Sequence, residues 1–341
     1  MTKKYNVAIL GVTGAVGQEL LSILDERKFP VDELKLLSSK RSAGRKVQFQ
    51  GKDYTVEEAG PDSFKGVDLV LSSAGGSISR KLVPYAVKAG ALVVDNTSAF
   101  RMDPKVPLVI PEINPEDIEK HQGIIANPNC STIIMLMPLF PLHCLAKIKR
   151  IVVATYQSAS GAGRQAMEEL EQQVRDIVAK KNPTVKAFPH QIAFNVFSHN
   201  SPVGDDGLCE EETKMVRETK KIFHDEMIQV APTTVRVPVL RAHSEAVFVQ
   251  FENPISAEDA RRCLVNAPGI RLVDDPQKNH FPMPLEAEGG DDILVGRLRE
   301  DPTTVNGLAL FVSGDQLRKG AALNAIQIAE AAFKTKTIGQ S

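Results

Sequence analysis

In the N-terminal part of the chain, short β-branched runs alternate with stretches in which apolar residues recur at helical spacing. This alternation predicts strands and helices in turn, which is typical of a parallel sheet with helices on both faces. The predicted strands are Asn6 to Leu10, Glu33 to Leu37, Val67 to Ser72 and Ala91 to Asp95, and the predicted helices are Val16 to Arg27 and Ser79 to Ala89.

After Asn129 the pattern changes to longer and more closely spaced strand candidates. An apolar helix start is predicted from Ser131 to Met137. This pattern predicts a mixed α+β domain whose sheet is largely antiparallel. The other predicted elements are the strands Ile151 to Tyr156, Thr234 to Val239, Glu245 to Glu252, Ile293 to Leu298 and Leu308 to Val312, and the helices Arg164 to Lys180, Glu211 to Phe223 and Leu317 to Phe333. The last helix could pack on either domain.

The composition is that of a globular protein with about two domains. The chain has 341 residues, 43% of them hydrophobic and 24% charged, and a domain usually takes roughly 100 to 200 residues. Its 41 basic and 42 acidic residues give a net charge of -1. Proteins that bind nucleic acids usually carry a basic face that neutralises phosphates. We therefore expect no nucleic-acid partner.

Membrane insertion, targeting and metal binding have no support in the sequence. The longest strongly apolar run, Ile133 to Leu142, contains Pro138 and Pro141 and is shorter than the roughly 18 residues that a membrane span needs. The N-terminal segment has no small-residue cleavage site, so we expect no membrane association and a cytoplasmic protein. The four cysteines show no CxxC spacing and the seven histidines no HExxH pair, which favours a reducing compartment and no bound metal.

A glycine-rich turn, Gly11-Val-Thr-Gly-Ala-Val-Gly17, follows the first predicted strand and opens the first predicted helix. Glycines permit a positive φ in such a turn and let the backbone approach a pyrophosphate at the helix N-terminus. The spacing is GxxGxxG, not the commoner GxGxxG, so its position after a chain-initial strand carries the prediction of a dinucleotide site. A glycine turn without a ligand is the alternative. The candidate cofactor-binding residues are Gly11, Thr13, Gly14, Ala15, Val16 and Gly17.

The end of the second predicted strand favours NADP over NAD. NAD sites usually place Asp or Glu about 20 residues after the glycine loop, whereas this chain has Leu37-Ser-Ser-Lys-Arg-Ser42. Two cations and three hydroxyls can bind a 2′-phosphate, with a solvated loop as the alternative. A second small-residue turn, Ser72-Ser-Ala-Gly-Gly76, is suited to close approach of a cofactor. The candidate residues in these two turns are Ser38, Ser39, Arg41, Ser42, Ser73 and Gly75.

The segment Asn127-Pro-Asn-Cys-Ser-Thr132 contains the candidate nucleophile. Pro128 disfavours a helix at the residue before it, and Asn129 is a good N-cap, so Cys130 should lie at or beside a helix N-terminus. There the helix dipole and the free backbone N–H groups favour the thiolate and can bind an oxyanion. The default alternative is a buried inert thiol. Two other cysteines lie among apolar residues and are interpreted as small core residues, Cys144 and Cys263.

A thiolate that turns over needs an acid or base, and His243 is the candidate. It lies in Arg236-Val-Pro-Val-Leu-Arg-Ala-His-Ser-Glu245, between two predicted strands. Its pairing with Cys130 is inferred from chemical roles and not from spacing. A structural or solvated histidine is the alternative.

Together these motifs make the chain similar to the aspartate-semialdehyde dehydrogenases. The resemblance covers nearly the whole chain in order, through the motifs GVTGAVG, SSKRSAG, SAFRM, NPNCST, YQSASGAG, EETK, RVPVLRAHSE and GAALNAIQIAE. It implies an α/β protein with a Rossmann-type NADP-binding domain, residues 1–128 completed by the C-terminal helix 318–341. It also implies an α+β catalytic and dimerisation domain with a mostly antiparallel sheet, residues 129–317.

The resemblance further implies a homodimer or a tetramer. The predicted helix Arg164 to Lys180 has an apolar stripe, which makes it a candidate contact between subunits. The same stripe could instead cover part of its own domain.

The resemblance also assigns roles to residues around the nucleophile. It makes Cys130 the nucleophile, His243 the acid/base and Gln157 the residue that orients the reacting groups. Arg236 would bind the α-carboxylate of the substrate in a bidentate fork. Glu211 would accept from the ammonium group.

Phosphate and cofactor contacts are implied in the same way. Lys214 and Arg101, assisted by Asn129, would hold the acyl phosphate or inorganic phosphate. A helix-surface ion pair between Glu211 and Lys214 is an alternative, as is a simple loop cation for Arg101. The remaining implied cofactor-binding residues are Ser160, Gly161 and Asn324, the last of which would meet the nicotinamide carboxamide.

The activity implied is the NADPH-dependent reductive dephosphorylation of L-aspartyl 4-phosphate to L-aspartate 4-semialdehyde through a cysteine thioester. This reaction lies on the aspartate pathway to lysine, threonine and methionine. One alternative is N-acetyl-γ-glutamyl-phosphate reductase, which uses similar chemistry on a longer acylated substrate and needs no partner for a free ammonium. The other is a non-catalytic NADP-binding regulator, which the presence of Cys130, Gln157, Arg236 and His243 disfavours.

Overall fold

The structure, a computed structural model, describes residues 3–338, with side chains through Lys334. Met1 and Thr2, and residues 339–341 at the end of the predicted helix 318–341, lie outside the described residues. The chain divides into two compact units. The first contains the residues up to Asn129 and those from Ala321 on, and the second contains Cys130–Gly320.

The strands of the described chain, in order, are β1 (Tyr5–Leu10), β2 (Val31–Ser38), β3 (Lys46–Phe49), β4 (Lys52–Thr55), β5 (Glu57–Glu58), β6 (Leu69–Ser72), β7 (Leu92–Asp95), β8 (Ile124–Ala126), β9 (Ile148–Gln157), β10 (Phe197–Ser198), β11 (Gln229–Arg236), β12 (His243–Phe251), β13 (Ile270–Leu272), β14 (Ile293–Glu300) and β15 (Gly307–Gly314). The helices are α1 (Ala15–Glu26), α2 (Gly76–Lys88), α3 (Cys130–Ala146), α4 (Arg164–Val178), α5 (Glu210–Phe223), α6 (Ala257–Leu264), α7 (Pro284–Ala287) and α8 (Leu323–Ile338).

The first unit is built on a parallel sheet of six strands in the order β5-β2-β1-β6-β7-β8. Side chains alternate between the two faces of a strand. Val7 and Ile9 therefore pack in one apolar core with α1 and α8, and Ala8 and Leu10 pack in another with α2. The prediction of a parallel sheet with helices on both faces is confirmed.

The second unit is built on a sheet of seven strands in the order β10-β11-β9-β12-β15-β14-β13. The pairs β11–β9 and β14–β13 are parallel, and the other four pairs are antiparallel. The prediction of a mixed, largely antiparallel sheet is confirmed.

Helix α3 lies against one face of this sheet and contains the predicted helix start, Ser131 to Met137. From there the helix continues through Pro138 and Pro141 to Ala146. A proline inside a helix costs about 3 kcal/mol because it removes a backbone donor and crowds the preceding turn. The helix is apolar on all sides and largely buried, so its packing outweighs that cost.

Cys144 lies near the end of α3 and is exposed, and Cys263 in α6 is half-buried. The interpretation of Cys144 as a core residue was therefore wrong. The reason is its direction on the helix, because Leu142 and Ala146 are buried while Cys144 and Leu145 face outward.

The face of the sheet opposite α3 carries apolar side chains that are partly exposed. Gln157 in β9 and His243 in β12 point toward α3. Side chains alternate along a strand, so Tyr156 in β9 and Phe248 in β12 lie on the opposite face, where they are 38% and 40% exposed. We call this surface the outer face. It consists of Val152, Ala154, Tyr156, Ala246, Phe248 and Phe311.

The apolar stripe of α4 packs within its own unit. Its buried residues Ala166 and Leu170 contact Phe188 and Ile192 of the segment that follows the helix. The stripe thus covers that segment.

Within residues 3–338, no helix combines the length and the apolar character that crossing a membrane requires.

Candidate active site

The glycine turn of the first unit has the close contacts expected of a phosphate-binding loop. Gly11 has φ +95°, and a Cβ on it would lie 2.8 Å from the backbone of Ser73. A Cβ on Gly17 would lie 2.3 Å from the carbonyl oxygen of Gly11. Both positions therefore exclude a side chain, and α1 begins at Ala15 directly after the turn with its N–H groups available to an anion.

A cavity of about 470 Å³ lies beside this turn in the first unit. It is polar at one end, where Thr13 Oγ1 lies 2.9 Å from Ser38 Oγ and 3.5 Å from Ser42 Oγ. The cavity's size and its hydroxyl and lysine lining fit part of a phosphorylated dinucleotide. The predicted cofactor residues that line it are Gly11, Thr13, Gly14, Ser38, Ser39 and Ser73, together with Lys40.

The other predicted cofactor residues of the first unit lie around this cavity. Ala15, Val16 and Gly17 form the first turn of α1. Gly75 precedes α2 with φ +90°, a conformation that favours glycine. Arg41 lies in the 3-10 turn Lys40–Ser42 with an exposed side chain.

Arg101, a predicted phosphate ligand, is buried in the first unit at the ends of β7 and β8. Its Nε donates to the carbonyl oxygen of Asn127 at 2.9 Å, and its Nη2 donates to that of Asn96 at 2.9 Å. These two hydrogen bonds give Arg101 a structural role, in addition to any role in binding phosphate. Asn129 is also buried.

Asn324, predicted to meet the nicotinamide, is fully buried near the start of α8. Its Nδ2 donates to Val109 O at 3.0 Å and to Asn127 Oδ1 at 2.7 Å. Asn127 in turn donates to the carbonyl oxygen of Ala321 at 3.2 Å. These bonds fix Asn324 within the first unit.

In the second unit, α3 begins at Cys130, which confirms the predicted helix start. The thiol is half-buried. A Cβ on Gly320 would lie 3.1 Å from Cys130 Cβ, so glycine keeps the space beside the sulfur open. The helix dipole at this position favours the thiolate form of Cys130.

Gln157, at the end of β9, links the start of α3 to α5. Its Nε2 lies 3.1 Å from Ser131 Oγ and 3.4 Å from Glu211 Oε1. Glu211 is buried, and Lys214 Nζ lies 3.5 Å from its Oε2 and 3.0 Å from Glu210 Oε1. The ion pair between Glu211 and Lys214 therefore exists, and Glu211 also belongs to the buried polar cluster around Gln157.

His243 is fully buried at the start of β12. The Ser158 N–H donates to its Nδ1 at 3.1 Å, and Ser158 Oγ lies 2.9 Å from the same atom. Because Nδ1 accepts, the proton of the neutral ring belongs on Nε2. Among the described residues Nε2 has no partner. Burial, and next the charge of Arg236, lower the pKa of His243 to about 3.

Arg236, at the end of β11, is buried beside this histidine. Its Nη1 donates to the Ser158 carbonyl at 3.2 Å, and its guanidinium lies 5.9 Å from the ring centre of Phe188. Burial lowers the pKa of Arg236, while the charges of Glu211 and then Cys130 raise it. Arg236 Nε has no partner in the described part of the chain, which leaves a donor for a ligand.

Gly161 and Ser160, predicted to contact the cofactor, lie against the same group of residues. A Cβ on Gly161 would lie 2.9 Å from His243 Nε2 and 3.0 Å from Arg236 Nη1. Ser160 is buried, with its Oγ 3.0 Å from Ser158 Oγ and bonded to Gln316 Nε2. Glycine at 161 therefore leaves the face of both side chains open.

The second unit thus brings together Cys130, Gln157, Glu211, Lys214, Arg236 and His243. Sequence reasoning missed Ser158, which binds both His243 and Arg236, and His199, which lies 2.8 Å from Arg236 Nη2. Ser158 directly follows Gln157 in the YQSASGAG motif, so that motif could have indicated it. His199 lies in a stretch without any recognised motif.

Family models match both units. A model for the NAD-binding domain of semialdehyde dehydrogenases matches residues 6–121, and a model for their dimerisation domain matches residues 139–319. Together with a helix-start cysteine beside a buried histidine and arginine, these matches define a semialdehyde dehydrogenase. The chain is 58% identical over 330 residues to the aspartate-semialdehyde dehydrogenase of Synechocystis sp., covering 97% of this chain and 98% of that protein. The chain belongs to the aspartate-semialdehyde dehydrogenase family.

Solved structures agree in fold. Aspartate-semialdehyde dehydrogenase II of Vibrio cholerae, complexed with ASA, matches with a TM-score of 0.95 and 46% identity, covering 98% of this chain and 99% of that chain. The enzyme of Candida albicans, with NADP, matches with a TM-score of 0.77 and 26% identity, covering 98% of this chain and 100% of that chain.

Proposed function

We propose that this enzyme reduces L-aspartyl 4-phosphate to L-aspartate 4-semialdehyde, with Cys130 as the nucleophile and NADPH as the reductant. The observation that carries the proposal is the grouping of Cys130, Gln157, Arg236 and His243 at the start of α3 in the second unit. A thiolate at a helix start, an imidazole with an unpartnered Nε2 and a buried guanidinium together suit acyl transfer to sulfur.

The amino-acid head group of the substrate binds between two opposite charges. Arg236 is buried and has a spare Nε donor, which suits an α-carboxylate. Glu211 is a buried carboxylate beside Gln157, which suits an ammonium group. N-acetyl-γ-glutamyl-phosphate reductase acts on a substrate without a free ammonium, so the buried Glu211 favours the aspartyl substrate.

The thiolate of Cys130 attacks the acyl carbon of the substrate, phosphate leaves, and a thioester forms on the sulfur. The cofactor supplies the hydride that reduces this thioester. The oxyanion of the resulting thiohemiacetal accepts a hydrogen bond from Nε2 of His243, which is neutral at pH 7. The oxyanion then re-forms the C=O bond while the C–S bond breaks, which releases the aldehyde and the thiolate of Cys130. The N–H groups at the start of α3 stabilise the oxyanion in both steps.

Lys214 is proposed to hold the leaving phosphate, and Arg101 and Asn129 of the first unit keep their predicted phosphate roles. For the cofactor, the end of β2 places Ser38, Ser39 and Lys40 in the lining of the cavity beside Gly11, at the position where NAD-binding domains usually have a carboxylate. The lining also includes Glu58, which comes from the neighbouring strand β5. This lining, and the NADP in the Candida albicans structure, support NADP. Asn324, Ser160 and Gly161 stay predicted cofactor contacts.

The protein acts as a homodimer in the cytoplasm. The second unit matches a dimerisation domain, and its outer face presents partly exposed aromatic side chains, which support a subunit interface there. A small-molecule substrate and a soluble cofactor support the cytoplasm.

The test is a spectrophotometric assay with aspartate semialdehyde, phosphate and NADP, using the wild type and Cys130→Ala. We expect the variant to lose turnover by at least about 10⁴-fold while it keeps the unfolding profile of the wild type. Mass spectrometry of the wild type quenched with substrate and NADP in the absence of phosphate should locate an aspartyl adduct on the peptide that contains Cys130. Activity retained in Cys130→Ala, or an adduct on another peptide, would place the nucleophile elsewhere.

A further inference from the structure

The segment between α4 and α5, residues 179–209, is irregular apart from the two-residue strand β10. Long irregular segments in a compact unit are usually functional. Side chains of α4 fix this one, because Gln173 Oε1 accepts from Ile192 N at 3.0 Å and from Ala193 N at 3.1 Å. Glu169 accepts from the Lys186 N–H at 2.8 Å. The segment is therefore tied to α4 by the buried contacts of Gln173 and by an exposed contact of Glu169.

The pairing of β10 with β11 brings His199 beside Arg236. Phe197 lies opposite Arg236 in the ladder, and the His199 N–H donates to Thr234 O at 2.9 Å. His199 Nε2 lies 2.8 Å from Arg236 Nη2. A guanidinium can only donate, so Nε2 must accept, and the neutral ring carries its proton on Nδ1. Burial, and then the charge of Arg236, lower the pKa of His199 to about 4, which agrees with a neutral ring.

Ser201 continues this chain of hydrogen bonds to Glu211. His199 Nδ1 lies 3.0 Å from Ser201 Oγ, and the same oxygen accepts the Glu211 N–H at 3.2 Å. The Ser201 N–H also lies 3.2 Å from Nδ1, so the backbone and the hydroxyl of Ser201 both contact this nitrogen. The carboxylate-binding arginine and the start of the helix that carries the ammonium-binding Glu211 are thus joined through two side chains.

We propose that His199 and Ser201 are positioning residues that set the spacing between Arg236 and Glu211, and so select substrates with both a free α-carboxylate and a free α-ammonium. This inference rests on the proposed function of Arg236 and Glu211. His199 holds the edge of the guanidinium while Phe188 lies 5.9 Å from it. Ser201 holds the first turn of α5.

The physical reason for such a connection is the opposite charge of the two groups. A buried cation and a buried anion in one site attract each other strongly, because the low dielectric of the interior screens them poorly. His199 and Ser201 are neutral. His199 contacts Arg236, and Ser201 contacts the start of the helix that carries Glu211, so both charged groups stay oriented toward a ligand. A zwitterionic head group can then bind to both at once.

The test combines residue variants with truncated substrates. The full substrate is L-aspartate 4-semialdehyde, 3-aminopropanal lacks its carboxylate, and succinate semialdehyde lacks its ammonium. His199→Ala should raise KM for the full substrate by roughly 10- to 100-fold, as for a lost hydrogen bond to a charged group, with kcat and the KM for NADP changed less than about threefold. With 3-aminopropanal, the effect of His199→Ala on kcat/KM should nearly disappear, because the arginine then has no carboxylate to bind.

Ser201→Ala extends the test to the other end of the chain of bonds. Its effect on kcat/KM should be smaller with succinate semialdehyde than with the full substrate. His199→Gln, whose side-chain oxygen can accept from Arg236, should recover most of the lost affinity. His190→Ala is the matched control, because His190 is an exposed histidine of the same segment that contacts Phe197 edge-on. This variant should leave all constants unchanged.

Two results would overturn the inference while the proposed function stands. One is an equal loss of kcat/KM with all three aldehydes. The other is a loss in kcat or in the KM for NADP without a change in the KM for the full substrate. A wild type inactive on aspartate semialdehyde would overturn the proposed function and this inference with it. Ser201→Ala carries the same comparison if His199→Ala does not fold.

Discussion

Among single residues, Glu245 is a buried acidic group that the proposed chemistry does not use. It is fully buried on β12, two positions after His243 and on the same face of the sheet, opposite Thr155. Neither of its carboxyl oxygens has a hydrogen-bond partner within the described residues. Burial raises the pKa of Glu245 well above its usual value, so the side chain is a neutral acid two positions after His243, the proposed acid/base.

This neutrality makes the stability of the protein depend on pH. In the unfolded chain Glu245 ionises near pH 4.5, while in the folded protein it keeps its proton to much higher pH. The unfolded state therefore binds fewer protons above pH 4.5, and the free energy of unfolding falls by about 1.4 kcal/mol per pH unit until the folded pKa is reached. Glu245→Gln removes this contribution. Its stability relative to the wild type should rise between pH 5 and pH 7 in urea unfolding at fixed protein concentration.

Glu226→Gln is the control for that experiment, since Glu226 is 84% exposed and should leave the pH profile of the wild type unchanged. The same pH slope in the wild type and Glu245→Gln would show that Glu245 is ionised in the folded protein.

At the scale of elements, the 3-10 turn Lys40–Ser42 gives different positions to Lys40 and Arg41, two cations that the sequence alone does not distinguish. Lys40 lines the cavity beside Gly11 together with Ser38 and Ser39. The side chains of Lys40 and Arg41 are both exposed, but Arg41 does not line this cavity. The sequence supplied both charges, but only the turn determines which of them faces the cavity.

Lys40→Ala should therefore raise the KM for NADP by about tenfold, as expected for one charge-assisted contact with a phosphate. The KM for NAD, which lacks the 2′-phosphate, should stay nearly constant. Arg41→Ala, the matched variant, should have a smaller effect on NADP. Steady-state kinetics with both cofactors measure this. A larger effect of Arg41→Ala would mean that the turn changes conformation when the cofactor binds.

At the scale of the whole molecule, the outer face of the seven-stranded sheet is the proposed subunit interface. It is apolar and partly exposed, whereas the opposite face is buried under α3. The stripe of α4, the contact suggested by the sequence, packs against Phe188 and Ile192 of its own unit. The outer face is therefore the surface that we expect a second copy to cover.

Phe248→Asp should convert the dimer into a monomer, because it places a charge in the centre of an apolar interface. Sedimentation or light scattering at micromolar concentration measures the mass. Met227→Asp, at a residue that is 83% exposed on the same unit, should leave the dimer intact. A Phe248→Asp variant that is still dimeric, with an unchanged dissociation constant, would place the interface elsewhere.

The sequence by itself determined the properties that depend on local order along the chain. Periodicity, capping and backbone restrictions predict three features: the strand that leads into the Gly11 turn, the helix that begins at Cys130, and the alternation of strands and helices. These local rules act over a few residues. The predicted helix start also indicated Cys130 as the candidate nucleophile, and the family resemblance added the substrate-binding charges as a set. Helix α3 shows the limit of local rules, because its burial carries it through Pro138 and Pro141.

The tertiary structure alone decided which distant side chains meet. His199 lies in a stretch without a motif and 37 residues before Arg236, yet β10 places the two in contact. Glu245 is an ordinary acidic residue in the sequence and a buried neutral acid in the sheet. Which residues a side chain contacts, and how deeply it is buried, depend on strand pairing and packing. Both bring together positions that are far apart in the chain. No local pattern contains that information, because the energy of burial depends on the final three-dimensional surroundings.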